Sequence, residues 1–165
     1  MRPPKVAATT AAFAESFANR PVWGIFELFT FSSLNPAFLP RYAGSLHARF
    51  DRAMVLFDPS TVAHRHLPPL AAEAVQAAFG PGVEVFTDAK ALRAVLEREA
   101  PEELNLLIMS SGNVGGWDVR QWAPEFVQQS VEGTDAEHGG ESRPGPAAVC
   151  ERDPLEEQSH FPMHT

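Results

Sequence analysis

The chain has 165 residues, 44% of them hydrophobic, which is enough for the core of one domain of ordinary size. Its formal net charge of −8 argues against a duplex-binding surface, because such a surface needs a basic face to replace counterions. A single cysteine excludes an internal disulfide, and no apolar run approaches the roughly 18 residues of a membrane span. With no signal-peptide pattern at the start, we expect a cytoplasmic protein without nucleic-acid or membrane partners.

The predicted elements alternate regularly along residues 1–130. The predicted strands are Val22–Leu28, Ala53–Phe57, Val83–Phe86 and Asn105–Ser110, and the first of them lacks polar alternation, which indicates burial on both faces. Five helices are predicted between and around the strands. Two begin at proline pairs, Pro3–Pro4 and Pro68–Pro69. The other three have the N-caps Asn35, with Pro36 as the first helical residue, Thr87, and Asp118, whose helix should break or kink at Pro124. This alternation predicts an α/β fold: a small doubly wound, mainly parallel sheet with helices on both faces, Rossmann-like.

The remaining segment, residues 131–165, has almost no apolar periodicity and is rich in Gly, Pro, Glu and Ser. Its eight acidic and two basic residues give it a net charge of −6, which leaves −2 for the rest of the chain. Such a composition buries too little apolar surface to offset the entropy of ordering. We therefore expect a folded domain over residues 1–130 and a disordered acidic tail over residues 131–165.

Ligands of doubly wound sheets bind beyond the carboxyl ends of the strands, near a switch in strand order. Four loops should emerge there: Thr30–Asn35, Asp58–His66, Thr87–Asp88 and Ser110–Gly116. The last of these, SSGNVGG, contains three glycines directly after a buried strand. Its backbone N–H groups could converge on an anion, or the glycines could merely permit a tight strand-to-helix turn. The loop matches neither a complete ATPase phosphate loop nor the dinucleotide-binding Gly pattern.

The first of these loops, TFSSLN, has the same ambiguity, because its hydroxyls could cap the next helix or meet a ligand. Asn35 is the expected cap, which leaves Thr30, Ser32 and Ser33 free for a ligand. Glu27 is a charge within an apolar strand, either functional or at a solvated strand end. Neither loop supplies a recognisable catalytic set.

Other polar groups favour structural interpretations. His64-Arg65-His66 lacks an acidic or cysteine partner at metal-ligand spacing, so a solvated loop is expected. Trp117 and Trp122 are expected to pack in the core, and Cys150 has no ordered surroundings to lower its pKa. The sequence therefore predicts no catalytic residue and no metal ligand in this chain.

Four segments together resemble the C-terminal domain of the Mur ligase family. They are FELFTFSSLNPAFLPRYAGSL, DRAMVLFDPSTVAHRHLPPL, AFGPGVEVFTDAKAL and NLLIMSSGNVGGWDV. The likeness runs from about Pro3 to about Ala123 and is most specific at TFSSLN and MSSGN. Within the family it is greatest for the murein peptide ligases, which join UDP-N-acetylmuramate to L-alanyl-γ-D-glutamyl-meso-diaminopimelate. The segment after Ser130 matches no part of the family.

The resemblance implies the C-terminal, substrate-positioning domain of an ATP-dependent amide-bond ligase of peptidoglycan synthesis or recycling. In that family one domain binds the UDP-sugar and a central domain holds ATP and Mg²⁺. A carboxylate becomes an acyl phosphate, which the amine of an amino acid or peptide then attacks. By this resemblance Ser110, Ser111, Gly112 and Asn113 would lie near the incoming substrate's carboxylates. The substrate-binding candidates of the loop facing the interdomain cleft are Thr30, Ser32, Ser33 and Asn35.

The chain departs from the family in two respects. An Asp-Asn-Pro-Arg motif with which some relatives recognise diaminopimelate reads Asp58-Pro59-Ser60-Thr61 here. Asp58, Ser60, Thr61 and His64 are therefore only possible substrate-binding residues.

The other departure concerns the ATP, Mg²⁺ and UDP-sugar sites of the family, which are not in this sequence. The resemblance thus implies a severed domain that holds no cofactor and is inactive alone. Two alternatives stay open: a stand-alone flavodoxin-like module that binds a nucleotide or phosphate, and a decayed fragment without function.

Overall fold

The computed structural model describes residues 3–17, 19–46, 50–132 and 147–152. The helices are α1 (Pro3–Ser16), α2 (Leu39–Leu46), α3 (Pro59–His64), α4 (Ala72–Phe79), α5 (Ala89–Glu99) and α6 (Val119–Glu132), with a 3-10 turn at Pro36–Phe38 before α2. The strands are β1 (Val22–Glu27), β2 (Arg52–Leu56), β3 (Val83–Phe86), β4 (Asn105–Ser110) and β5 (Ala147–Arg152). None of the helices in these ranges is long and apolar enough to cross a membrane.

The strands form one parallel sheet in the order β3-β2-β1-β4-β5. Every residue of β1 and β4 is buried, as expected for strands covered on both faces. Gly24 of β1 lies in register with Ala53 of β2 and with Leu107 of β4. The predicted α/β fold with a parallel, doubly wound sheet is confirmed.

The sheet separates two hydrophobic clusters, because successive side chains of a strand point to opposite faces. One cluster joins the strands to α1, α2 and α4 and includes Phe26, Tyr42 and Phe79. The other joins them to α5 and α6 and includes Leu92 and Trp122. Helices therefore cover both faces of the sheet, which leaves the ends of the strands as the place for a ligand.

The strand order changes direction next to β1. From β1 the chain proceeds outward through β2 to β3, and then returns to place β4 on the other side of β1. The carboxyl ends of β1 and β4 therefore flank the switch point, where doubly wound folds bind ligands. The loops that follow these two strands are neighbours at the end of the sheet formed by the carboxyl ends of the strands. This end of the sheet is called the carboxyl edge.

Several predicted local features are revised by the structure. Residues 59–64, expected in a loop, form α3 because Pro59 and the Asp58 cap favour a first helical turn. The N-cap of α5 is Asp88, whose side chain accepts from the Lys90 N–H, whereas Thr87 was the predicted cap. The helix expected at Pro68–Pro69 begins only at Ala72.

The C-terminal part differs from the prediction as well. Helix α6 runs through Pro124 to Glu132, so of the predicted break or kink at Pro124 the break is excluded. Ala147–Arg152, within the segment predicted to be disordered, pairs with all of β4, whose outer edge would otherwise expose unpaired backbone groups. The disorder predicted for residues 133–146 and 153–165 lies outside the described residues.

Candidate binding site at the carboxyl edge

The segment Ser110–Gly116, called the glycine loop, has an unusual backbone. Val114, Gly115 and Gly116 follow one another with φ of +52°, +63° and +83°. Positive φ is a genuine outlier for a β-branched residue such as valine, and such strain persists only where the surroundings impose it. Here the Val114 side chain is buried against the cluster beneath α6, which holds the strained turn in place.

The three glycines of this loop are required for different reasons. A Cβ on Gly112 would lie 2.6 Å from the ring of Phe29, so the constraint is space. Gly115 combines positive φ with an approach of 3.0 Å to the Ala89 Cβ. Gly116 has positive φ but nothing within 4 Å. Two glycines thus make the turn, and the third lets the glycine loop touch the segment that follows β1.

A buried carboxyl group organises the glycine loop from within. Glu27, at the end of β1, is only 5% exposed. Its Oε1 accepts a hydrogen bond of 2.8 Å from the Gly115 N–H, and its Oε2 accepts from the Ser110 hydroxyl. The Ser110 oxygen accepts in turn from the Gly112 N–H at 2.9 Å. Of the two interpretations of Glu27, a solvated strand end is therefore excluded, and the side chain is a positioning group.

This network decides which predicted residues of the glycine loop can meet a ligand. Ser110 is fully buried and committed to Glu27 and Gly112. Ser111 and Gly112 are half-buried, whereas Asn113 is exposed. The ligand-facing candidates are therefore the middle residues of the loop, and Ser110 serves to hold them.

The segment Thr30–Asn35, called the β1 loop, is a self-contained turn. Thr30 and Ser33 are buried, and the Ser33 oxygen accepts from the Thr30 N–H at 3.0 Å while the Ser33 N–H donates to Thr30 Oγ1 at 3.2 Å. Asn35 Oδ1 accepts from the Ala37 N–H at 3.0 Å, so Asn35 is the predicted cap, although of the 3-10 turn that precedes α2. Ser32 is exposed, with its hydroxyl 3.1 Å from Thr30 Oγ1. Ser32 is therefore the exposed hydroxyl of this loop.

The possible substrate-binding residues that follow β2 are hydrogen-bonded to one another. The Asp58 carboxylate accepts from the Ser60 N–H at 2.7 Å, from the Ser60 hydroxyl at 2.5 Å and from the Thr61 hydroxyl at 3.2 Å. These hydrogen bonds, chiefly that of the Ser60 hydroxyl, hold the pKa of Asp58 below its ordinary value. His64 Nδ1 donates to the Ser60 carbonyl at 2.7 Å. All four residues therefore stabilise α3.

Sequence reasoning missed a cluster of Phe29, Phe31 and Arg65, called the Arg65 cluster. The guanidinium carbon of Arg65 lies 4.4 Å from the Phe29 ring centre and 5.0 Å from that of Phe31. Phe31 is 58% exposed at the tip of the β1 loop. The sequence contained a signal for this cluster, because Phe29 and Phe31 flank Thr30 at the start of a polar loop, and the hydrophobic core does not need both rings there. The cluster connects the end of α3 with the segment that follows β1. Its Phe29 ring also contacts Gly112 of the glycine loop.

A cleft of about 360 Å³ lies between the end of the glycine loop and the start of α6. It is lined by Asn113, Val114, Gly116, Trp117, Asp118, Val119 and Arg120. Asp118 caps α6 by accepting from the Gln121 N–H at 3.1 Å, as predicted. Within the described ranges, no group of three His, Cys, Asp or Glu side chains could hold a metal ion.

No protein-family model matches the chain, and no curated protein sequence matches it. Among solved structures, the chain is similar to a domain from Haemophilus ducreyi whose parent protein is described as a UDP-N-acetylmuramate:L-alanyl-γ-D-glutamyl-meso-diaminopimelate ligase. The similarity covers 78% of this chain and 84% of that chain, with a TM-score of 0.49 and 19% identity.

Proposed function

We propose that the chain is the substrate-positioning domain of an ATP-dependent amide-bond ligase that joins UDP-N-acetylmuramate to an amino acid or peptide. The observation that carries the proposal is that the β1 loop and the glycine loop follow neighbouring strands at the switch point, where Gly112 contacts Phe29, the residue directly before the β1 loop. The β1 loop is TFSSLN, and the glycine loop begins within MSSGN; these are the segments in which the likeness to the Mur ligases is most specific. A structure with these two loops on opposite sides of the domain would have contradicted the proposal.

The role of such a domain is geometric. Ser32, Ser111 and Asn113 offer hydroxyl and amide groups at one edge of a rigid sheet, and the glycine loop is held from below by Glu27. Closure of this edge over a reacting centre would orient the incoming amine and exclude water. ATP, Mg²⁺ and the UDP-sugar would be held by other parts of the ligase, on this polypeptide or on another.

The first test is the activity of the purified chain with ATP, Mg²⁺, UDP-N-acetylmuramate and L-alanyl-γ-D-glutamyl-meso-diaminopimelate. We expect no release of ADP and no ligation product at any substrate concentration. The second test adds the chain to a murein peptide ligase that lacks its own C-terminal domain. We expect product formation to rise with the concentration of the chain and to fall when Ser32 and Asn113 are both replaced by alanine. Turnover by the homogeneous chain alone, or no rescue by a folded chain, would contradict the proposal.

A stand-alone nucleotide or phosphate module is the second candidate, favoured by the glycine loop before a 14-residue helix at a switch point. Two contacts oppose it. The Gly115 N–H already donates to Glu27, and the Asp118 carboxylate occupies the N-terminus of α6. Calorimetry separates the candidates, since micromolar binding of a nucleotide or flavin to the isolated chain would favour the module.

A further inference from the structure

Arg65 is a cation at the carboxyl edge that no carboxylate neutralises within the described part of the chain. The ion pairs found there involve other arginines: Arg52 with Glu84 and Glu99, Arg93 with Glu97, and Arg98 with Glu99. The carboxylate at the other end of α3, Asp58, is committed to the cap of that helix. A charge kept in a fixed place without an internal partner is available to a ligand.

Two features of the fold determine where this guanidinium lies. Arg65 ends α3, where the His66 N–H donates to the Ala63 carbonyl and the Leu67 N–H to the Val62 carbonyl. This Schellman-type ending, with His66 at φ of +53°, fixes the backbone that carries Arg65. The rings of Phe29 and Phe31 then hold the planar end of the side chain. Aromatic contacts use the face of a guanidinium and leave its N–H edge for oxygen acceptors.

The position of Arg65 connects it to the candidate site. Phe29, beneath Arg65, is also the ring against which Gly112 packs, and Ser32 follows Phe31 directly in the chain. A ligand that touched Ser32 or Gly112 would therefore lie beside the Arg65 cluster. The two histidines that flank Arg65 in sequence are exposed, and neither carries a negative charge that would compete for it.

We propose that Arg65, held by Phe29 and Phe31, binds a carboxylate group of the ligand at the carboxyl edge. A carboxylate presents two coplanar oxygens that match the paired N–H donors of a guanidinium. A single arginine without a second cation in its cluster suits the one charge of a carboxylate better than the higher charge of a phosphate. The site itself depends only on the Arg65 cluster, and the proposed function matters only for which molecule carries the carboxylate.

The test is an NMR titration of the isolated chain at constant ionic strength, followed through Arg65 Nε–H and the ring protons of Phe31. The probes are glutarate, a small dicarboxylate, and inorganic phosphate. We expect glutarate to shift both signals saturably in the millimolar range, with weaker or no saturable shifts for phosphate. Arg65→Lys should weaken glutarate binding about tenfold or more, because lysine keeps the charge and loses the planar fork. Phe31→Leu, at an exposed position, should weaken it several-fold while the chain stays folded.

Arg41→Lys is the matched control, because Arg41 also lies over a phenylalanine, at 5.0 Å from the Phe38 ring, and is not in the Arg65 cluster. This variant should bind glutarate as the unchanged chain does. The inference is overturned if glutarate gives no saturable shift at Arg65, if phosphate binds more tightly than glutarate, or if Arg65→Lys, folded by circular dichroism, binds glutarate with unchanged affinity. None of these outcomes depends on ligase activity, so the Arg65 site and the proposed function fail separately.

Discussion

Glu27 is the residue on which the glycine loop depends. It accepts from the Ser110 hydroxyl and the Gly115 N–H in a buried position, so Glu27→Ala would leave two donors without an acceptor. An unsatisfied buried group such as the Ser110 hydroxyl costs about 1–3 kcal/mol, whereas the N–H of the exposed Gly115 would lose less. We expect Glu27→Ala to lower the free energy of unfolding by about 2 kcal/mol or more, measured by urea denaturation. Glu27→Gln keeps an acceptor for Gly115 and should cost less. Equal losses in the two variants would contradict this account.

Gly112 and Gly116 test the difference between a constraint of space and one of backbone conformation. Gly112→Ala would push the Phe29 ring, and with it the guanidinium of Arg65. Gly116→Ala would meet no atom but would hold alanine at φ of +83°, at a cost of roughly 1–2 kcal/mol. We expect both variants to be destabilised, measured by thermal unfolding. Only Gly112→Ala should change the NMR shift of Arg65 Nε–H, and a change in both would show that the two constraints are not separate.

At the scale of the element, the cap of α3 makes stability depend on pH. The pKa of folded Asp58 is lowered, so its contribution to stability is present above the unfolded value of about 3.9 and is lost as the pH falls through the folded pKa. Asp58→Asn keeps a capping side chain and removes the titration. We expect the urea midpoint of the unchanged chain to fall more between pH 5 and pH 2 than that of Asp58→Asn. Identical pH profiles would contradict the role of the charge.

Elements were predicted well from sequence where burial alone specifies them. The apolar run of NLLIMS predicted β4 with the bounds that the structure has, and Asn35 and Asp118 cap as expected. The bounds of β3 were also predicted, although this edge strand contains Glu84 and is only partly buried. The errors lie where short-range preferences compete. Thr87 and Asp88 are both good caps side by side, and six residues of α3 are too few for a periodic pattern. Strand β5 was missed because its apolar run, Ala147–Cys150, has only four residues in a segment otherwise rich in Gly, Pro, Glu and Ser.

At the scale of the whole molecule, the sequence predicted which loops share an edge but not which are neighbours. Parallel strands place all their following loops at one edge, which is why Thr30–Asn35 and Ser110–Gly116 could be assigned together. Strand order decides that β1 lies beside β4, and it results from long-range pairing that no local pattern encodes. The Arg65 cluster illustrates the same limit, since Phe29 and Arg65 meet only after β1 and β2 have paired.

The two hydrophobic clusters share their strands, which predicts that they unfold together. All three tryptophans of the chain, Trp23, Trp117 and Trp122, lie in the cluster beneath α5 and α6. Leu39 is 1% exposed in the other cluster, and Leu39→Ala should cost about 2–5 kcal/mol. Because β1, β2 and β4 carry side chains into both clusters, the loss should appear equally in tryptophan fluorescence and in far-UV circular dichroism during urea denaturation. If the circular dichroism midpoint fell while the fluorescence midpoint stayed in place, the two faces of the sheet would be separate cooperative units.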